Sequence, residues 1–365
     1  MGSSAAPRQI GKRASGKVSD LEWRPFSNAE IREADSRGEA DVIGGCPVCG
    51  GRRSRFYARK FGSGLVRCRD CGLVYAEPRF PAAVLLERYE SRDFFDAYLA
   101  NLGASREEYD PELIRRHYHP FLGLIGRFFA PGKTLLDVGC GAGFFVKAAS
   151  EAGWKADGVE ISKRGTEYAR RVVGADVRNA RLEDASIPDA GRDLVTMLDL
   201  VEHLPEPVRT LREARRILKP GGVLVVSTPD FRSLSRRVLG RCWAALSPGE
   251  HLANFDAGTL GRVLKRAGFS LLAVKNLLVL NPDYTHDKSR WAYRIFKRVH
   301  KRLEKTSFFG RLHGFEYLDL IHAGEPASPH LAGLGPGKRF GRRAYLKAKR
   351  FLRGDILVAV ARKPG

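Results

Sequence analysis

Leu135-Leu-Asp-Val-Gly-Cys-Gly-Ala-Gly-Phe-Phe145 is an apolar run that ends in glycines alternating behind an aspartate: Asp137, Gly139, Gly141 and Gly143. The run has the length of a buried strand. The bare backbone behind it admits a ligand where side chains would block the approach. A dinucleotide, a nucleoside triphosphate and a sulfonium nucleoside are all candidates. A tight strand–helix turn with no ligand is the plain alternative. The dinucleotide fingerprint places its third glycine one residue later, where Phe144 stands. A triphosphate loop needs Gly-Lys-Ser/Thr, and no such triplet follows.

Outward from this loop, strands and helices alternate. "TLLDVG" (134–139) predicts a strand, "FFVKAASEAG" (144–153) a helix closed by Gly153, "ADGVEIS" (156–162) a strand and "KRGTEYARRVVG" (163–174) a helix. "RDLVTMLDL" (192–200) is a strand, "PVRTLREARRILKPGG" (207–222) a helix and "VLVVSTP" (223–229) a strand. "DAGTLGRVLKRAGF" (256–269), "SLLAVKNLLVL" (270–280) and "DILVAVARK" (355–363) give a helix and two strands. The alternation predicts an α/β, Rossmann-like, doubly wound fold. Its mostly parallel seven-stranded sheet would bind ligands beyond the carboxyl ends of its strands.

The Asp-x-Gly-x-Gly-x-Gly spacing resembles motif I of class I S-adenosylmethionine (SAM) methyltransferases. The resemblance extends to "RLEDASIPDAGRDLVTMLDLVEHLPEP" and "EARRILKPGGVLVVSTPD", which look like the third-strand loop, fourth strand and fifth-strand region of methyltransferases akin to those of ubiquinone biosynthesis. It covers roughly 131–275 plus 354–363. It implies that Gly139, Cys140, Gly141 and Gly143 lie around SAM, with Asp137 near its amino group. Glu160, 23 residues after Asp137, would accept from both ribose hydroxyls with Ile161 beside it, a role the same position serves in NAD enzymes. Leu182, Glu183 and Asp184 would sit near adenine, although Arg181 stands where the family more usually has Asp. Asp199 would face the methionine end of the cofactor or, equally, cap a helix.

Two cysteine pairs precede this core. Cys46-Pro-Val-Cys49, 18 intervening residues, and Cys68-Arg-Asp-Cys71 have zinc-ribbon spacing. Four thiolates close a structural zinc site with no open position. The chain thus divides into a disordered tail (1–40), a zinc ribbon (41–80), a helical lead-in (81–130), the SAM-binding domain (131–280 plus 354–365) and a basic helical insertion (281–353). The start is polar, without the apolar core of a secretory signal. No apolar run approaches ~18 residues, so no spanning helix is expected. A cytoplasmic protein is the expectation, peripheral to a membrane if the basic insertion rests on one.

The net charge is +22. Such a field favours anionic partners. Half of it lies in 281–353, with 17 Lys/Arg against 6 Asp/Glu. Within it, 288–305 sets Trp291, Ile295, Val299 and Leu303 at steps of four among basic residues. That pattern suits an acidic membrane surface or a stripe packed on the domain.

Methyl transfer from a sulfonium needs an aligned nucleophile and, for a hydroxyl or acidic carbon, a base. The candidates are Glu202-His203 and Glu250-His251. "SPGEHLANF" resembles a stretch of deoxysugar C-methyltransferases, which also carry a zinc ribbon, with Pro248 where they have tyrosine. His251 or Glu250 would then act alone as base, or another chemistry applies and His251 packs or binds substrate; His203 would shape the pocket or, equally, serve the structure. The leading expectation is a methyltransferase for an anionic small molecule or glycan: a nucleotide-linked sugar, a lipid-linked glycan precursor or a natural product. An RNA methyltransferase and a non-catalytic SAM-binding scaffold are the alternatives.

Overall fold

A computed structural model describes residues 44–60, 63–277, 291, 293–295, 298 and 354–365. The tail at 1–40 and nearly all of the insertion at 281–353 lie outside the described residues.

The large sheet has seven strands. In chain order these are β4 (Thr134–Val138), β5 (Lys155–Glu160), β6 (Val177–Asn179), β7 (Arg192–Leu198), β8 (Leu218–Pro229), β10 (Ser270–Leu277) and β11 (Ile356–Arg362). Their spatial order is β10-β11-β8-β7-β4-β5-β6. The five strands from β6 to β8 are parallel, and β11 runs antiparallel between β8 and β10. Both faces are covered, which is why the strands read as continuous apolar runs. Leu136, Val138, Leu224 and Val226 face α6 (Pro207–Ile217) and α8 (Ala257–Arg266). Leu135, Val223 and Val225 face α3 (Pro111–Ile125) and α4 (Phe144–Glu151). Each buried Phe of α4, Phe144 and Phe145, contributes about 2 kcal/mol.

Three boundaries differ from the sequence reading. The Lys-Pro-Gly-Gly segment belongs to β8, not to the preceding helix, because Lys219 bonds Asp193 at 2.8 Å and Gly221 and Gly222 exchange backbone bonds with Lys363. The helix over 163–174 is α5 (Lys163–Tyr168) followed by a π-turn, Ala169–Val173, which Gly174 ends at φ 69°. The short β6 was not foreseen.

The lead-in is helical, as α1 (Ala82–Glu90), α2 (Arg92–Asn101) and α3. Before it, β1 (Ser54–Lys60), β2 (Ser63–Cys68) and β3 (Val74–Ala76) form an antiparallel sheet. Its fourth strand, β9 (Ala253–Asn254), comes from the loop after β8. A further short helix, α7 (Leu234–Leu239), lies in that connection. Arg262 of α8 donates to the Cys71 carbonyl at 2.6 Å, and Cys46, Leu73 and Tyr75 join the core of the large domain.

Of the stripe in 288–305, Trp291 and Ile295 are described and are 71% and 50% exposed, whereas Tyr293 packs with Trp243 and Phe231. Among the described residues no helix is long and apolar enough to cross a membrane.

Candidate active site

The chain runs from β4 outward to β6, then returns to β7 on the other side of β4. The loop after β4 therefore sits where the strand order reverses, the place where open α/β sheets bind ligands. Its three glycines have φ of 68°, 54° and 74°, a region L-residues rarely adopt. Their surroundings differ. Gly139 lines a pocket, and a Cβ there would lie 2.6 Å from Leu200. A Cβ on Gly141 would run into the hydroxyl of Tyr98, which accepts from the Ala142 N–H at 3.4 Å. Gly143 faces away from the pocket, where a Cβ would lie 2.8 Å from Ala169 and 2.9 Å from Ala175. Gly143 thus serves close packing between α4 and the turn after α5. Cys140 is buried among apolar residues of the same layer, and burial pushes its thiol well above the ordinary range.

The pocket holds about 830 Å³ counted to its open mouth. Leu85, Leu86 and Tyr89 of α1 form one wall, and Gly139, Val159, Ile161 and Leu182 the other. Ile161 is exposed into it and Leu182 is buried beneath, an apolar pair suited to a flat ring. Glu160 closes the strand end beside them. Its two oxygens accept the N–H groups of Gly141 and Ser162, each at 2.8 Å. Burial raises this carboxyl, opposed by those N–H donors. Lone pairs remain on both oxygens for a vicinal diol. Glu183 also lines the pocket, but its carboxylate accepts from Thr210 at 2.7 Å. Asp184 is exposed and is not part of the lining.

Asp137 is buried and accepts the Thr196 hydroxyl at 2.6 Å; burial pushes it up to about 7. Asp199 sits at φ 50°, strained for a non-glycine residue. Ser227 of β8 holds it there, donating to its carboxylate at 2.9 Å. It does not cap the following turn, Val201–His203, whose N-cap is Leu200.

At the far end His203 lines the pocket, with the Tyr89 hydroxyl 3.2 Å from its Nδ1. His251 stands behind it, ring edge against ring face at 4.6 Å and 90°. The His251 Nδ1 lies 2.7 Å from the Ala245 carbonyl, so that nitrogen carries the proton and Nε2 keeps a lone pair. Burial lowers both rings, His251 to about 4, so both are neutral imidazoles. Glu250 is engaged elsewhere, in a buried ion pair with Arg88 of α1 at 2.6 Å. Sequence reasoning did not single out Glu202 on its own. It is 1% exposed, neither of its oxygens has a hydrogen-bond partner, and burial pushes its carboxyl well up. Glu202, His203 and His251 each bring one ligand-type atom within 4.8 Å of the others.

The four paired cysteines also converge within 4.8 Å. Cys46 and Cys71 sulfurs are 3.4 Å apart, and those of Cys49 and Cys68 3.5 Å. All are free thiols. Tetrahedral zinc with Zn–S near ~2.3 Å spaces its sulfurs by about 3.8 Å, so the set fits a closed zinc site with little movement. Elemental analysis of freshly purified protein should find one zinc per chain. Metal-free protein carrying disulfides at these positions would remove the assignment.

A family model described as "Methyltransferase domain" matches residues 106–274. A Mycolicibacterium smegmatis protein described as a "Probable S-adenosylmethionine-dependent methyltransferase" is 30% identical over 170 residues, 46% of this chain and 62% of that protein. The ubiquinone biosynthesis O-methyltransferase of Pseudomonas paraeruginosa is 35% identical over 103 residues, 27% of this chain and 44% of its own. The chain thus spans less than two thirds of the length of these relatives. Among solved structures, a SAM-dependent methyltransferase from Archaeoglobus fulgidus aligns with 73% of this chain and 98% of its own, at 20% identity and a TM-score of 0.46. The matched segment contains the glycine loop, Glu160 and His203 in one stretch of sequence, and over that segment the chain is similar to SAM-dependent methyltransferases.

Proposed function

We propose that the protein transfers a methyl group from SAM to an anionic small molecule or glycan. One observation carries this reading. A single pocket runs from Gly139, Ile161 and Leu182, where the nucleoside end would lie, to His203 and Tyr89, where an acceptor would enter. Glu160 would take the ribose hydroxyls, and Asp137 would attract the amino group of the methionine part. His203 is the ring that faces the acceptor, so it is proposed as the proton acceptor, with His251 as the positioning residue behind it. His203→Ala should lower turnover on the order of a hundredfold with SAM affinity nearly intact. His251→Ala should lower kcat less and leave KM close to wild type; unchanged turnover in both variants would make the rings packing groups. The direct test of the reading is mass spectrometry of cell extracts treated with the enzyme and methyl-labelled SAM. SAM binding without labelling of any acceptor would favour a scaffold instead.

Asp137 gives this reading a pH signature. Burial raises it to about 7, and a bound ammonium favours its ionised form. SAM affinity should therefore weaken up to about tenfold as pH falls from 7 to 6, and level off above pH 8. The unliganded protein should itself lose stability as pH rises from the ordinary carboxylate range towards 7, because the folded state holds that proton longer than the unfolded chain does. Titration calorimetry with SAM and denaturant unfolding of the unliganded protein, each at several pH values, check the two arms, with Asp137→Asn as control. A flat profile would remove Asp137 from the site.

The charge of +22 favours RNA as the second acceptor class. Binding to RNA with a log–log salt slope of several would support it. Structural zinc on the four cysteines belongs to the same proposal. So does a peripheral contact of 288–305 with acidic membrane, supported by the exposure of Trp291 and Ile295. Co-sedimentation with anionic but not neutral vesicles tests that contact.

A further inference from the structure

Four arginines from three separate stretches line one hollow beside the cysteine knuckle. Arg52 follows the first cysteine pair, Arg79 precedes α1, and Arg209 and Arg212 project from α6. The hollow measures about 910 Å³ counted to its open mouth, and it shares Pro205 and Glu206 with the wall of the cofactor pocket. Among the described residues Glu206 is its only carboxylate, and that group lies 3.2 Å from Arg209 on the surface. Four guanidinium charges against one carboxylate leave an excess of three. Arg79 spends one N–H on the Pro205 carbonyl at 2.8 Å. The side chains of Arg52 and Arg212 make no hydrogen bond or ion pair with any described residue. The first turn of α6 adds to the field, since its N-cap Glu206 makes no side-chain cap. Its partial positive end is offset only in part by the Glu206 carboxylate, which is shared with Arg209.

Like charges are normally spread over a surface. Several guanidinium forks on one concave wall raise the local potential and suit an anion that accepts bidentate hydrogen bonds. Phosphoryl oxygens meet that geometry. A hollow that adjoins the cofactor pocket across Pro205 and Glu206 puts the rest of such a molecule on the side of His203.

We propose that this hollow binds the phosphoryl or diphosphoryl group of the acceptor and anchors it while the reacting end enters the adjoining pocket. The proposal rests on the reading of the chain as a methyltransferase with an anionic acceptor. A nucleotide-linked and a lipid-linked acceptor share this group, so the chemistry is common to both sources.

The test uses the full chain at low salt, with inorganic pyrophosphate titrated by calorimetry. Wild type should bind it, and Arg52→Ala/Arg212→Ala should bind at least tenfold more weakly. Both residues are exposed, so the variant should melt with wild type; SAM affinity should stay unchanged. Uridine diphosphate and neutral vesicles doped with a polyprenyl diphosphate then distinguish the sources, and loss of either in the variant supports the site. Absent pyrophosphate binding, or equal affinity in the variant, overturns it. So does single-stranded RNA that binds more tightly than pyrophosphate with a steep salt slope. Pyrophosphate binding without SAM binding would leave the hollow standing and sink the methyltransferase reading, so the two failures are separable.

Discussion

Gly141→Val should abolish measurable SAM binding, a loss of at least a hundredfold, while the protein remains folded. The residue sits at φ 54°, and any Cβ there points at the Tyr98 hydroxyl. Its N–H also holds one oxygen of Glu160. Valine would strain the turn, displace the tyrosine and detach the Glu160 carboxylate proposed to take the ribose. The backbone strain costs about 1–3 kcal/mol, which a domain with this core can absorb. Calorimetry with SAM and a thermal melt on the same preparation separate lost binding from lost fold. Wild-type affinity in the variant, or NAD binding with no SAM binding in the parent, would sink the assignment.

The second large effect concerns stability. Arg88→Ala should destabilise the protein by about 3 kcal/mol or more. Arg88 and Glu250 pair at 2.6 Å with side chains only 11% and 3% exposed. Breaking a buried pair leaves a carboxylate without its guanidinium, whereas replacing both partners is far better tolerated. Arg88→Met/Glu250→Gln should therefore recover most of the loss. Denaturant unfolding of the three proteins gives the comparison; equal stability of Arg88→Ala and wild type would show that the pair contributes nothing net.

The parallel sheet was legible because strands covered on both faces read as apolar runs, as Val223 to Val226 do. The glycine loop was legible because positive φ selects glycine. The ribbon strands were harder: Ser54–Lys60 carries Arg55, Arg59 and Lys60 and reads as polar loop, and it becomes a strand only through pairing with β2. The roof of the pocket was also hidden. Leu85 and Tyr89 are four residues apart on α1, a spacing that says "one face" without saying what it covers. Glu250 illustrates the converse: its position beside His251 pointed to chemistry, and only the partner 162 residues away shows its charge already engaged. Gly143 fitted the motif but answers to Ala169 and Ala175, contacts that no local spacing encodes.

Strand β9 has a consequence for the entropy of catalysis. It is two residues of the loop that carries Glu250 and His251, and it completes the cysteine-bearing sheet by pairing with β3. Upstream, Trp243, Ala245 and Leu246 of the same connection pack on Ala58, Leu65 and Val74 of that sheet. A long crossover loop over an open sheet edge would ordinarily have to be ordered by substrate, and that ordering would be subtracted from affinity. Here the chain's own N-terminal sheet orders it in advance. The small domain is in this sense a mould for the loop after β8: the rigidity of the knuckle becomes preorganisation of His251, some two hundred residues further along the chain.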